Sequence, residues 1–108
     1  MPLQYGQPAR FSQLDGSGLE AKMRMVGLEG DIYRELFAIG EANRAEILKR
    51  YPKIQRRVSG YNLDEFIHGK DFDMARFVVG SEGTLVNITE AKLRLVPTPK
   101  FKGLVVMH

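Results

Sequence analysis

Val78-Val79-Gly80-Ser81-Glu82-Gly83-Thr84-Leu85 sets an apolar run against a glycine turn and passes the chain to an alternating segment that ends at Val96. Glycines at positions 80 and 83 permit positive φ and a close backbone approach, while Ser81 and Thr84 add hydroxyls and Glu82 a carboxylate. A turn that cradles a cofactor is built this way. It is not a Walker loop, because no Gly-Lys-Ser/Thr follows, and it lacks the third glycine of the dinucleotide fingerprint.

Working outward, the pattern after the turn has period two. Ala91, Leu93 and Leu95 alternate with Glu90, Lys92 and Arg94, which predicts an amphipathic strand. Pro97-Thr98-Pro99 turns the chain, and Phe101 to Met107 reads as a buried strand cut off at His108, the look of a truncated piece. Before the turn, Asp71 or Asp73 is expected to cap a short helix from Met74 to Val79, and Asn62 another from Leu63 to Ile67. Gly60 is expected to allow a tight approach to the turn after Val79.

Further upstream, Ile32, Leu36, Ile39 and Ile47 recur at helical spacing, and Tyr33, Phe37 and Leu48 widen the stripe. The spacing predicts one long helix beginning at Asp31, kinked near Gly40 and running to about Tyr51. Lys49 and Arg50 occupy its last turn and Pro52 ends it. Leu19 to Val26 alternates, with Ala21, Met23 and Met25 on one side and Glu20, Lys22 and Arg24 on the other, and this predicts a half-buried strand. Residues 1–18, with Pro2, Pro8, Gly6, Gly16 and Gly18, read as an irregular lead-in that holds at most a short edge strand within Gln4 to Phe11. The fold class is α+β: a small, mostly antiparallel sheet packed with one long helix and one or two short ones.

At 108 residues the chain is one domain or a piece of a larger one. A chain of this size buries roughly two-thirds of its unfolded surface, which leaves little room for an enclosed cofactor site made from itself alone. The absence of Cys excludes disulfides, thiolate zinc sites and a thiol nucleophile, and fits a reducing compartment. No apolar run approaches the ~18 residues of a membrane span and no signal-peptide pattern opens the chain, so a soluble cytoplasmic protein is the expectation. The net charge of +3 rests on one cluster, Lys49, Arg50, Lys53, Arg56 and Arg57. A solvated helix end accounts for it better than nucleic acid does.

The residues offer little independent chemistry. Glu82, Ser81 and Thr84 have no histidine near them in sequence to act as base, and Asp64-Glu65 and Asp71/Asp73 are better read as helix-start residues than as acid–base pairs. His68 and His108 read as solvent-exposed. No catalytic residue and no metal ligand is assigned.

Two motifs in this order carry a family resemblance. Arg56-Arg57-Val58-Ser59-Gly60-Tyr61-Asn62-Leu63 is followed by Phe77-Val78-Val79-Gly80-Ser81-Glu82-Gly83-Thr84-Leu85, and then by Ile88-Thr89-Glu90-Ala91-Lys92-Leu93-Arg94-Leu95-Val96-Pro97. From about Gly30 to its end the chain resembles the FAD-linked oxidases, which include D-lactate dehydrogenases, the glycolate oxidase flavin subunit, D-2-hydroxyglutarate dehydrogenase and alkyl-dihydroxyacetonephosphate synthase. The helix with Tyr51-Pro52-Lys53-Ile54-Gln55-Arg56-Arg57 resembles most the large bacterial members that fuse a flavin part to an iron–sulfur part.

The resemblance implies residues 19–108 to be the second subdomain of a two-part FAD-binding domain of the PCMH type. Gly80, Ser81, Glu82, Gly83, Thr84, Leu85, Val86, Asn87 and Ile88 would form one wall of the flavin site, chiefly through backbone groups, with Gly60 and Tyr61 as buttresses. Arg56 and Arg57 would meet an anionic substrate or the cofactor's phosphates, or lie on the surface. Family members usually carry glycine where Val86 stands. Their pyrophosphate loop lies upstream and their substrate-binding and metal-binding histidines downstream, so the phosphate loop and the catalytic groups are expected elsewhere.

The resulting expectation is part of a flavin-dependent enzyme that oxidises a D-2-hydroxy acid, with the rest of the flavoenzyme chain and an iron–sulfur domain as partners. Alone, the piece is expected to be inactive, to hold no FAD and to self-associate through uncovered edges. The competing reading is a small basic α+β module that binds nucleic acid or a partner protein through Lys49 to Arg57.

Overall fold

Asp15 turns the chain into its first helix. Its carboxylate accepts the Gly18 amide at 2.7 Å and the Ser17 hydroxyl at 2.9 Å, satisfying an N–H group that the helix itself leaves without a partner. Helix α1 covers Gly16–Met23 in the computed structural model, which describes residues 8–54, 60–67 and 71–107. The strand expected over Leu19 to Val26 is therefore absent. Leu19 and Met23 lie one helical turn apart and both pack on the core, and Lys22 pairs with Glu29 of the next helix. An eight-residue alternation is also compatible with an i, i+4 repeat, and the Asp15 cap decides between the two.

The irregular lead-in expected up to Gly18 is likewise shorter than its sequence implies. Strand β1 is Gln13–Leu14, and no strand forms over residues 8–11; the rest of the Gln4 to Phe11 segment lies outside the described residues.

Helix α2, Leu28–Ala42, begins at Gly27, whose φ of 104° lies in the region open to glycine. Asp31 is not its cap but sits in the first turn, where it pairs with Arg34 and favours the positive end of the helix dipole. Where one helix kinked near Gly40 is expected, α2 continues through Gly40 and the interruption falls at Asn43. Gly40 is buried, and a Cβ on it would stand 3.3 Å from Phe66 Cβ, so its role is close packing. The helix ends at Asn43, with φ of −110°, and a separate helix α3 spans Arg44–Arg50. Tyr51 is its extended C-cap, as Pro52 requires.

The helix expected over Leu63 to Ile67 is a single 3₁₀ turn, Leu63–Phe66, and the Asn62 side chain makes no capping hydrogen bond. Strand β2, Phe72–Asp73, pairs antiparallel with β1, Gln13 facing Asp73 and Leu14 facing Phe72. Asp73 then caps helix α4, Met74–Val79, accepting the Arg76 amide at 3.0 Å. This matches the expected helix and one of its two candidate caps.

The core lies where α2, the 3₁₀ turn, β2 and α4 converge. Tyr33, Phe66, Phe72, Met74, Phe77 and Val78 are buried together, each such side chain contributing about 1.5–3 kcal/mol relative to exposure. Phe66 stacks on Phe72 with ring centroids 4.4 Å apart, and Phe77 tilts onto Phe66 at 4.8 Å.

The architecture is a small α+β arrangement of four helices and one two-stranded antiparallel sheet among the described residues. The strands expected at 91–95 and 101–107 are not formed. Residues 87–107 are exposed and lie in no strand. An alternating sequence sets which side of a strand is apolar but does not supply the neighbouring edge that its N–H and C=O groups require.

Candidate functional site

Helix α4 ends at Gly80, whose amide donates to Arg76 O at 3.1 Å, and the chain turns back at once. The Thr84 amide donates to Ser81 O at 3.1 Å, with Glu82 at φ 53° and Gly83 at φ 75° between them. Two successive positive-φ residues inside a closed four-residue turn have the handedness of a type I′ turn. Glu82 is the one non-glycine residue with positive φ among the described residues. Such a conformation costs about 1–2 kcal/mol in an L-residue, so something must hold it.

Hydroxyl groups hold it. Thr84 Oγ1 donates to Ser81 O at 2.6 Å, and Ser81 Oγ, nearly fully buried, donates to Val78 O at 2.7 Å. Tyr61 Oη lies 2.9 Å from Thr84 Oγ1. Because the Thr84 proton is committed to Ser81 O, the Tyr61 hydroxyl is the donor of that pair. The ring of Tyr61 rests on Phe77 at 5.7 Å, and Tyr51 Oη donates to the Tyr61 carbonyl at 2.6 Å. Position 60 has φ of 89°, which reverses the chain just before Tyr61.

Both hydroxyls that the sequence offers as ligands therefore serve the turn itself. The backbone N–H groups of Glu82 and Gly83 have no partner among the described residues. Glu82, Leu85, Asn87 and Ile88 are exposed, and a Cβ at Gly83 would meet open space. Val86 is half-buried and packs against the core, so its Cβ fills protein space. Within residues 80–88, Ser81 is buried, Gly80 and Val86 are half-buried, and the other residues are exposed.

A cavity of about 270 Å³ lies between α3 and the 3₁₀ turn, lined by Ile47, Tyr51, Lys53 and Ile67 among others. A second, of about 190 Å³, lies among β1, α1 and α2. Neither is lined by residues 80–88.

Elsewhere, Arg50 of the basic cluster pairs with Glu46 at 2.6 Å, as a solvated helix end does, and Arg56 and Arg57 lie outside the described residues. So do Ser59, His68 and His108. Among the described residues no group of His, Asp or Glu is arranged to hold a metal ion, and no helix is long and apolar enough to cross a membrane. Tyr51 and Asn62 are the site residues that sequence patterns missed. Tyr51 carries only the signal of a residue before proline, and Asn62 reads as a helix cap although its amide lies against Gly80.

The chain is similar to part of several D-2-hydroxyglutarate dehydrogenases. Identity to that of Pantoea ananatis is 37% over 79 residues, covering 71% of this chain and 8% of the relative. For the Escherichia coli K12 protein it is 37% over 78 residues, 70% of this chain and 8% of the relative. For the Pseudomonas putida protein it is 33% over 104 residues, 93% of this chain and 10% of the relative. The chain thus spans about a tenth of the length of the curated relatives it matches. A match over 93% of the chain necessarily includes the Ser81–Thr84 turn and Tyr61. These identities support kinship with D-2-hydroxy-acid dehydrogenases and are consistent with a portion of an oxidoreductase. No protein-family model and no solved structure matches the chain.

Proposed function

We propose that this chain is a portion of a flavin-dependent oxidoreductase that oxidises a D-2-hydroxy acid, D-2-hydroxyglutarate being the substrate named for its relatives. Residues Gly80 to Ile88 supply one wall of the FAD site. The observation that carries the reading is the P. putida match, which runs through an exposed, pre-shaped glycine turn. In this reading FAD, when bound, would supply the hydride acceptor for the substrate's hydroxyl-bearing carbon, the hydroxyl proton passing to a base elsewhere in the enzyme as the carbonyl forms.

The chain's own contribution is binding and orientation. The N–H groups of Glu82 and Gly83 offer two donors to a polar edge of the ligand, while Leu85 and Ile88 offer apolar surface to a ring face. Glu82 places a carboxylate beside the turn, which disfavours a phosphate at that spot and suits a neutral ring better. The pyrophosphate loop, the substrate-binding groups and any iron–sulfur partner belong to other parts of the enzyme. A single open wall does not retain the ligand, so the 108-residue chain alone binds no FAD and does not turn over.

The test is purification of the longer protein that contains this stretch. Flavin absorbance and turnover of D-2-hydroxyglutarate with a dye acceptor are expected, and Gly83→Trp, which fills the open space at the turn, should strip the colour. A colourless protein that takes up no added FAD sinks the proposal.

A further inference from the structure

Two hydrogen bonds tie earlier segments of the chain to one turn, and two more close the turn on itself. They run from Tyr51 Oη to Tyr61 O (2.6 Å), from Tyr61 Oη to Thr84 Oγ1 (2.9 Å), from Thr84 Oγ1 to Ser81 O (2.6 Å) and from Ser81 Oγ to Val78 O (2.7 Å). We infer that Tyr61 is a positioning residue for the Ser81–Thr84 turn, with Tyr51 as the strap that holds Tyr61 in place.

Donor logic fixes the direction of the relay. A hydroxyl has one proton to donate, Thr84 gives its proton to Ser81 O, and Tyr61 must therefore donate to Thr84. Donation by Tyr61 makes Thr84 Oγ1 a stronger donor in turn, since chained hydrogen bonds polarise one another. The bond that gains is the one across the turn. Ser81 O receives both the amide and the hydroxyl of Thr84, and this double closure confines Glu82 and Gly83 to positive φ.

Glu82 makes the constraint necessary. A non-glycine residue at φ 53° relaxes to negative φ once the closure loosens, and the N–H groups of residues 82 and 83 are then reoriented. The ring of Tyr61 is kept in place independently of its hydroxyl by Phe77. Removing the oxygen alone therefore isolates the relay from the packing.

The inference concerns the shape of the turn, and its consequence for cofactor contact rests on the flavin reading. Amide hydrogen exchange followed by NMR on the 108-residue chain, with no flavin added, tests it. Tyr61→Phe and Thr84→Val are each expected to speed exchange of the Thr84 amide about fivefold to tenfold and to change the Glu82 HN–Hα coupling. The α2 amides should be unmoved. Thr84→Ser, which keeps the hydroxyl, should restore wild-type exchange, and the Tyr61→Phe/Thr84→Val pair should exceed neither single change. Unchanged Thr84 exchange in Tyr61→Phe, or equal acceleration throughout α2, overturns the inference. In the longer protein, a flavin spectrum unmoved by Tyr61→Phe while the turn loosens supports the strap and counts against the flavin wall.

Discussion

The backbone of Gly30 lies directly against the carbonyl of Met25: a Cβ on Gly30 would overlap that oxygen and stand 2.8 Å from its carbon. Arg34 grips the same carbonyl, Nη1 donating at 3.1 Å, so the corner between α1 and α2 cannot open without breaking both contacts. Gly30→Ala is expected to cost about 1–3 kcal/mol, the range for overpacking, even though alanine favours the helix by about 1 kcal/mol. At Gly80 the obstacle is the far end of the Asn62 side chain, which can swing aside. Gly80→Ala should therefore cost less, and Asn62→Ala should recover most of the loss. Urea midpoints check the order, and equal losses at the two glycines would refute it.

The turn carries a strain that substitution can relieve. Glu82→Gly removes the penalty of φ 53° and should stabilise the chain by about 1 kcal/mol. Gly83→Ala imposes the same penalty at φ 75°, where the space is open and sterics play no part, and should destabilise by a similar amount. Opposite shifts in Tm are the expected signature.

Tyr33 is fully buried, and its hydroxyl has no hydrogen-bond partner among the described residues. Burial, reinforced by the charge of Glu29, pushes its phenol from 10.0 up to about 12. The native state thus favours the protonated phenol. The stability this contributes is complete below pH 10 and is lost as pH rises toward about 12. Tyr33→Phe should flatten this alkaline limb and raise stability at neutral pH by about 1 kcal/mol, since an unsatisfied buried hydroxyl disappears while the ring packing stays. Ultraviolet difference titration should show a late-ionising component that the substitution removes.

Asp15 gives the opposite limb. Its carboxylate accepts the Gly18 amide and then the Ser17 hydroxyl, and these bonds hold it below its ordinary value of 3.8. A depressed carboxylate stabilises the fold above the unfolded value, and the benefit is lost as pH falls through the lower folded one. Helicity of α1 should therefore decline in acid. Asp15→Asn keeps an oxygen acceptor for the cap and should leave α1 in place while weakening that acid dependence. Carbon-detected titration of the Asp15 carboxyl checks the direction.

The segment after Val86 exposes an apolar series that includes Leu95 (83%), Phe101 (90%) and Leu104 (90%). An extended apolar segment with unpaired backbone groups is a template for pairing with another chain. The 108-residue chain is expected to self-associate as concentration rises, and Leu95→Lys with Phe101→Lys should return it to a monomer. Light scattering showing a monomer at all concentrations would count against this.

Local chemistry was readable wherever a side chain acts on its own neighbourhood. The apolar spacing from Ile32 to Ile47, the stop before Pro52, the Asp73 cap of α4 and the turn at Gly80 to Leu85 all follow from contacts within a few residues, where propensity and capping decide the outcome. The same local rules misread Leu19 to Val26, because a short alternating run satisfies both periods until the Asp15 cap and the two core contacts of α1 choose between them. They also give one helix kinked near Gly40, whereas two helices meet at Asn43 and the missing side chain of Gly40 makes room for Phe66.

Tertiary structure alone decided what the turn is. Sequence by itself determined that positions 80 to 85 would reverse the chain, that glycine would stand at 83, and that hydroxyls would flank it. Only the folded chain brings Tyr61 to Thr84, commits both hydroxyls inward, and leaves the amides of Glu82 and Gly83 without a partner among the described residues. The physical reason is that a hydrogen bond across 23 residues depends on where α3, the 3₁₀ turn and α4 pack, and no local spacing encodes that distance.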